Sequence, residues 1–195
     1  MRGMRTYRAS SARRIVAGLI SLILILAGLG LIGYSLLIRD PFALAALFGP
    51  DTPENPTMTL TVPAMQRVDE VPVYDAPPPG KGALHDGALH LSGTGFPWQS
   101  GANVYIAGHR LGFPATKSYL VFWDLDALQN GDEVILTDAN GTTYTYAVFK
   151  KLIVNPGAQY VTQPISGRSI VSLQTCTLPD YSQRLVVQAE LTNVS

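Results

Sequence analysis

The hydrophobic pattern divides the chain into two regimes. Ile15 to Ile38 is one unbroken apolar block without a charge. At about 1.5 Å rise per residue it predicts a helix roughly 36 Å long, enough to cross a hydrocarbon core of about 30 Å with some tilt. Beyond Pro56 the apolar residues come in short runs separated by turn residues, the signature of strands. These runs are Met58–Met65, Val71–Tyr74, Leu89–Leu91, Asn103–Ala107, Glu133–Thr137, Thr142–Phe149, Ser169–Gln174 and Arg184–Leu191. Lys151–Val154 continues the sixth. Between Glu133–Thr137 and Thr142–Phe149 the pair Asn140-Gly141 predicts a hairpin. Val121–Gln129 is the best candidate for a short helix. Many short strands with closely spaced turns predict a mainly β domain, a mixed or closed barrel, and about 140 residues suffice for its core.

Between the two regimes lies a proline-punctuated stretch, with prolines at 41, 50, 53 and 56. It reads as a partly extended spacer. A second break falls at Pro77-Pro78-Pro79-Gly80. The expected organisation is therefore a basic tail over 1–14, a transmembrane anchor over 15–38, a juxtamembrane spacer over 39–56 and an outer domain over 57–195.

Charge adds direction to this picture. The chain carries 14 basic and 14 acidic residues. Arg2, Arg5, Arg8, Arg13 and Arg14 precede the apolar block and only Arg39 follows it closely. The positive-inside rule then puts the N-terminus in the cytoplasm and the rest outside the cell membrane, as a single-pass protein. A cleaved signal peptide is the competing reading, with Ala43-Leu44-Ala45 as a cleavage pattern. The apolar block is much longer than the short apolar core of a signal peptide, which favours an uncleaved anchor. From Asp51 onward, 13 acidic residues face 8 basic ones. That mildly acidic balance excludes nucleic acid as a partner, because phosphate binding needs a clustered basic surface.

Candidate chemistry starts with Cys176, the only cysteine. In an oxidising exterior a lone cysteine flags a free thiol, against the alternative of a small buried hydrophobe. Three polar residues sit at ends of predicted strands, namely His109 after Asn103–Gly108, Cys176 after Ser169–Thr175, and Arg184 opening the last strand. Any one of them alone is more often a surface or packing residue. Together they have a chemical logic. A free thiol is only a few per cent thiolate at neutral pH, so a nucleophilic cysteine needs a neighbour that favours the anion. A histidine can do this and later protonate a leaving amine, and a guanidinium can stabilise the tetrahedral oxyanion.

The stretch Ser172-Leu173-Gln174-Thr175-Cys176 resembles the TLxTC motif of sortases, with serine for its first threonine. Tyr105-Ile106-Ala107-Gly108-His109-Arg110 is similar to the segment that carries the sortase histidine, and Arg184 stands eight residues past the cysteine, as the sortase arginine does. The resemblance spans roughly 57–191. It implies a closed eight-stranded β-barrel and a cysteine transpeptidase of Gram-positive bacteria that anchors surface proteins, with His109, Cys176 and Arg184 catalytic and Thr175 a candidate substrate-binding residue. It further implies an LPxTG-like or LAxTG-like sorting signal on surface proteins or pilins, a thioacyl enzyme, and transfer to an amine of a cell-wall precursor or a pilin lysine. The family's histidine works as acid and base beside a reverse-protonated cysteine. The short Cys176–Arg184 loop looks closest to the class D and E groups. No cofactor and no metal are implied; Asp124, Asp126, Asp132 and Glu133 read as a solvated loop. His85, His90 and Tyr181 default to surface or packing roles, and Trp98 and Trp123 to core or groove lining.

Two enzyme rivals fit less well. L,D-transpeptidases place a histidine two residues before the cysteine, where this chain has Gln174. Papain-like enzymes put the cysteine first, at a helix start. The non-enzyme rival is a membrane-tethered β-barrel binding module with a structural cysteine.

Overall fold

A computed structural model describes residues 9–39, 52–76 and 82–195. The start of the basic tail, most of the 39–56 spacer and the Pro77–Gly80 break lie outside the described residues. The chain forms two units. The first is helix α1 (Ala9–Arg39). Within it Ile15–Ser35, with mean hydropathy 2.8, is long and apolar enough to cross a membrane, and its apolar side chains are exposed. At about 1.5 Å per residue this span of 21 residues covers roughly 31 Å.

The second unit is a closed barrel. Its strands are β1 (Met58–Thr61), β2 (Val71–Ala76), β3 (Ala88–Leu91), β4 (Asn103–Ala107), β5 (Glu133–Asp138), β6 (Thr143–Val154), β7 (Ile170–Cys176) and β8 (Arg184–Val194). A one-turn helix, α2 (Ala83–Asp86), precedes β3. Around the barrel the order is β1-β2-β3-β4-β7-β8-β6-β5, and β5 pairs with β1 to close it. The β2–β3 and β4–β7 pairs are parallel and the rest antiparallel. Closure leaves no unpaired sheet edge, which is the general advantage of a barrel. Alternate residues point inward, so Leu60, Val73, Val104, Ile106, Leu136, Tyr146, Leu173 and Val187 fill the interior.

The Asn140-Gly141 hairpin forms as the pattern requires: Gly141 has φ +87°, and its N–H donates to Asp138 O at 3.0 Å. Lys151–Val154 continues the sixth strand as expected, giving one long strand from Thr143 to Val154 with register shifts at Thr145/Tyr146 and Val148/Lys150. Two expectations change. The first strand stops at Thr61, because a tight turn follows in which Val62 N–H reaches Val68 O (2.8 Å) and Met65 N–H reaches Val62 O (2.8 Å). The helix expected over Val121–Gln129 is replaced by successive i→i−3 turns and a 3₁₀ turn at Leu125–Ala127. The reason is tertiary: Phe122 N–H is taken by His109 O (2.8 Å), and Phe122, Leu125 and Leu128 are buried against the barrel.

Outside the barrel wall a second apolar layer forms. Residues 155–163, between β6 and β7, fold back over the outer face, so that Val161 packs with Tyr105, Val154 and Val186. A buried polar network ties this segment down. Asn103 Nδ2 donates to Val161 O (2.9 Å) and Gln163 O (3.0 Å), Ser172 Oγ donates to Asn103 Oδ1 (2.8 Å), and Gln188 Nε2 donates to Ser172 Oγ (3.2 Å). Truncating Ser172 strands two buried partners. Ser172→Ala is therefore expected to cost about 1–3 kcal/mol in denaturant unfolding of the full-length protein in micelles. A loss within about 0.5 kcal/mol, the range of an ordinary surface substitution, would show that the network contributes little.

Candidate active site

Strand register assembles the site. The parallel β4–β7 pairing sets Tyr105 opposite Ser172 and Ala107 opposite Gln174. Two residues further on, the same register brings His109 level with Cys176, and the Gly108 N–H donating to Gln174 O (3.0 Å) carries the pairing past the end of β4. On the other side Cys176 is paired directly with Arg184 of β8. Side chains at one level of adjacent strands project from the same face, with Cβ atoms roughly 5 Å apart for a direct cross-strand pair. Ile106, Leu173, Thr175 and Leu185 are buried inward, which leaves Tyr105, Ala107, Gln174, Cys176 and Arg184 on the outer face. His109, just past the end of β4 and far from the other two in the sequence, thus comes level with Cys176 at the end of β7 and Arg184 at the start of β8.

Short-range contacts hold this row. Thr175 is fully buried and its hydroxyl donates to Gly108 O (2.8 Å), tying the cysteine strand to the histidine strand. This corrects the expectation that Thr175 binds substrate: its side chain points into the barrel, away from the cleft. A Cβ at Gly108 would lie 2.6 Å from the Phe122 ring, and one at Gly112 would lie 2.8 Å from the His109 ring. Both positions need glycine so that the histidine loop can close on itself. Arg110 pairs with Asp126, and Gly112 N–H donates to Tyr119 O (2.7 Å), fastening that loop to the 119–127 turns.

Two cavities open on the row. His109 and Cys176 line a cleft of about 360 Å³ together with Arg110, Leu111, Phe113 and Tyr181. Arg184 lines a second cavity, of about 230 Å³, with Tyr105 and Gln174 beside the apolar Leu91, Val154 and Val161. The Arg184 guanidinium is fixed from behind by one nitrogen, Nη1, which donates to Tyr181 O (3.0 Å) and Gln183 O (2.9 Å). Tyr181 sits at φ +59°, a left-handed conformation rare for an aromatic residue and a mark of a constrained loop. Sequence reasoning leaves Tyr181 at a packing role and does not single out Tyr105, Gln174 or Phe113 as lining residues. Strand parity is the available signal for Tyr105 and Gln174, which lie four residues before His109 and two before Cys176.

The electrostatics follow from the packing. Burial lowers the pKa of His109, and the nearby His85 pushes it the same way by like-charge repulsion. The Phe113 and His109 rings meet edge to face at 6.2 Å between centroids, and Phe113 also contacts His85 at 5.8 Å. Cys176 is a free, half-buried thiol at the cleft wall rather than a core residue. His90, by contrast, is wholly buried, its Nδ1 2.7 Å from Asp75 Oδ1 and its Nε2 3.0 Å from Gly95 O. Trp98 stacks on Phe96 beside it. Among the described residues no three His, Cys, Asp or Glu side chains converge as a metal site would require.

A closed barrel of this strand order, presenting one cysteine between a histidine and an arginine, defines a class of protein. The chain belongs to the sortase family, whose domain model matches residues 60–192. Sortase A of Streptococcus agalactiae serotype III (strain NEM316) is 34% identical over 89 residues, 46% of this chain and 36% of that protein. The match thus spans little more than a third of that relative's length. Among solved structures, sortase A from Corynebacterium diphtheriae superposes with a TM-score of 0.61 at 25% identity, covering 71% of this chain and 61% of that one. Sortase C-1 from Actinomyces oris gives 0.62 at 26% identity, covering 74% and 82%.

Because two effects lower the His109 pKa, removing one should raise it. In His85→Gln the His109 imidazole is expected to titrate at higher pH than in the parent protein, moving toward the ordinary value near 6.5. An unchanged midpoint in an NMR titration would show that burial acts alone.

Proposed function

We propose that this chain is a membrane-anchored cysteine transpeptidase in which Cys176 is the nucleophile, His109 the acid and base, and Arg184 the oxyanion stabiliser. The observation that carries this reading is the row formed by His109, just past β4, with Cys176 of β7 and Arg184 of β8. The substrate is a protein bearing an LPxTG-like or LAxTG-like sorting signal, bound in the cavity beside Arg184 with its scissile carbonyl at Cys176. The acceptor is an amine on a cell-wall precursor or a pilin. The class D or E likeness of the Cys176–Arg184 loop belongs to the same proposal.

The chemistry balances with these three groups. The Cys176 thiolate adds to the peptide carbonyl carbon, and the carbonyl oxygen becomes an oxyanion. The Arg184 guanidinium, with one nitrogen anchored on loop carbonyls, offers its remaining donors to that charge where it develops. Protonated His109 gives its proton to the leaving nitrogen, the C–N bond breaks, and the acyl group stays on sulfur as a thioester. The incoming amine then attacks the same carbon, His109 takes its proton, and the thiolate leaves.

The anchor supplies location. With five arginines before Ile15 and Arg39 after Ile38, the N-terminus faces the cytoplasm and the barrel faces out. A reporter enzyme fused after Ser195 is expected to be active only outside the cell; cytoplasmic activity would reverse the topology.

Cys176→Ala should abolish cleavage and transfer while the barrel keeps its unfolding transition. Arg184→Ala should lower turnover by roughly 100- to 1000-fold, the range for losing one oxyanion donor, with a smaller change in substrate affinity. Arg184→Lys keeps the charge without the planar fork, so partial rescue is expected. Unchanged turnover with much weaker peptide binding in Arg184→Ala would make the residue a substrate clamp and remove it from the chemical step.

A further inference from the structure

Gln174 stands two residues before Cys176 on β7, so both side chains leave the same face of the barrel. Its strand neighbours at that level are Ala107 and Val186, neither of which carries a polar side chain. The Gln174 side chain lines the 230 Å³ cavity with Tyr105 and Arg184, between the apolar walls formed by Leu91, Val154 and Val161. The Tyr105 hydroxyl donates to Gln174 Oε1 at 3.2 Å. Burial pushes the Tyr105 phenol up to about 12, against a smaller opposing pull from Arg184. It therefore keeps its proton and remains a donor across the neutral range.

That hydrogen bond fixes which end of the amide is left. With Oε1 held by Tyr105, Gln174 presents Nε2, which carries two N–H donors. Among the described residues no protein group accepts from that nitrogen. The strand floor of the cavity thus offers donors, from Gln174 and from the outer edge of Arg184, beside apolar walls. A donor turned toward such a pocket is satisfied by an acceptor that enters it. An extended peptide carries one main-chain carbonyl per residue, and alternate carbonyls face the same way.

We propose that Gln174 is a substrate-binding residue whose Nε2 donates to a main-chain carbonyl of the acyl-donor peptide, with Tyr105 fixing the amide in the required orientation. This rests on the acyl-transfer reading above. The two-residue offset between Gln174 and Cys176 places the carbonyl it meets about two residues from the scissile bond. Because the contact binds the peptide rather than the developing oxyanion, its loss belongs in KM. An apolar side chain at 174 would bind the same peptide by packing alone.

The test is a coupling measurement with the full-length protein in micelles and synthetic LPxTG-type and LAxTG-type peptides. Each peptide amide is replaced in turn by a thioamide, a weaker acceptor, and cleavage is compared between the parent enzyme and Gln174→Leu. With unmodified peptide, Gln174→Leu should raise KM about 3- to 10-fold and leave kcat nearly unchanged, as expected for one neutral hydrogen bond. Tyr105→Phe should raise KM by less, since the amide is retained but free to turn. One thioamide should weaken the parent enzyme by a similar factor and have no further effect on Gln174→Leu. Losses that are additive at every position would overturn the assignment, as would a fall in kcat with KM unchanged. Gln174→Met, a straight-chain apolar replacement of similar length, carries the test if the leucine variant loses its unfolding transition. A parent enzyme that cleaves neither peptide defeats the acyl-transfer reading and this assignment with it; cleavage without coupling defeats the Gln174 assignment alone.

Discussion

The parallel pairing of β4 with β7 is the constraint on which the site depends. A slip of one residue in this register would turn every side chain of one strand to the other face. Cys176 would then face the barrel interior and Thr175 the cleft. The register is held where it matters by contacts that only this alignment allows. Gly108 N–H meets Gln174 O, the buried Thr175 hydroxyl meets Gly108 O, and Ser172 meets Asn103 at the far end of the same pair. Each is a polar group with a partner, and each would lose that partner on a slip. The antiparallel β7–β8 pair then adds Arg184 at the level of Cys176 without further devices.

Around this fixed row the protein arranges two surfaces with different supports. The histidine side is a loop closed by glycine contacts and by the 119–127 turns, where Phe122 packs on Gly108 and binds His109 O. The arginine side is the 177–183 loop, in which Gln183 O accepts from both Thr177 N–H (3.1 Å) and Arg184 Nη1 (2.9 Å). Neither loop alone makes a site. The barrel supplies rigid strand ends, and the loops supply orientation, which is the usual division between scaffold and function. The segment over residues 155–163 roofs the outer face beside them, giving a cavity with apolar walls and a polar floor.

Much of this is legible in the sequence, for physical reasons that differ by element. The strands are readable because their inward residues alternate, and the hairpin because Asn140-Gly141 supplies the positive φ that its turn needs. Helix α1 is readable from apolar length alone. The Val121–Gln129 helix fails because a short apolar run cannot reveal that one of its amides is claimed by His109. Thr175 misleads because adjacency to the cysteine suggests the cleft, whereas strand parity sends it inward. That same parity points to Gln174 and Tyr105, yet parity has no meaning for a site until the strand order is known. The proximity of His109 to Cys176 lies beyond the sequence entirely: it depends on the β4–β7 neighbourhood, and two strands, β5 and β6, with their loops intervene between β4 and β7.

The claim that this row performs acyl transfer predicts a covalent intermediate on one atom. Full-length protein incubated with an LPxTG-type or LAxTG-type peptide and quenched in acid should gain the mass of the acyl fragment. Peptide mapping should place that mass on Cys176 Sγ as a thioester that hydroxylamine removes. Cleavage of the peptide with no adduct on Cys176, or with an adduct on another residue, would contradict the account.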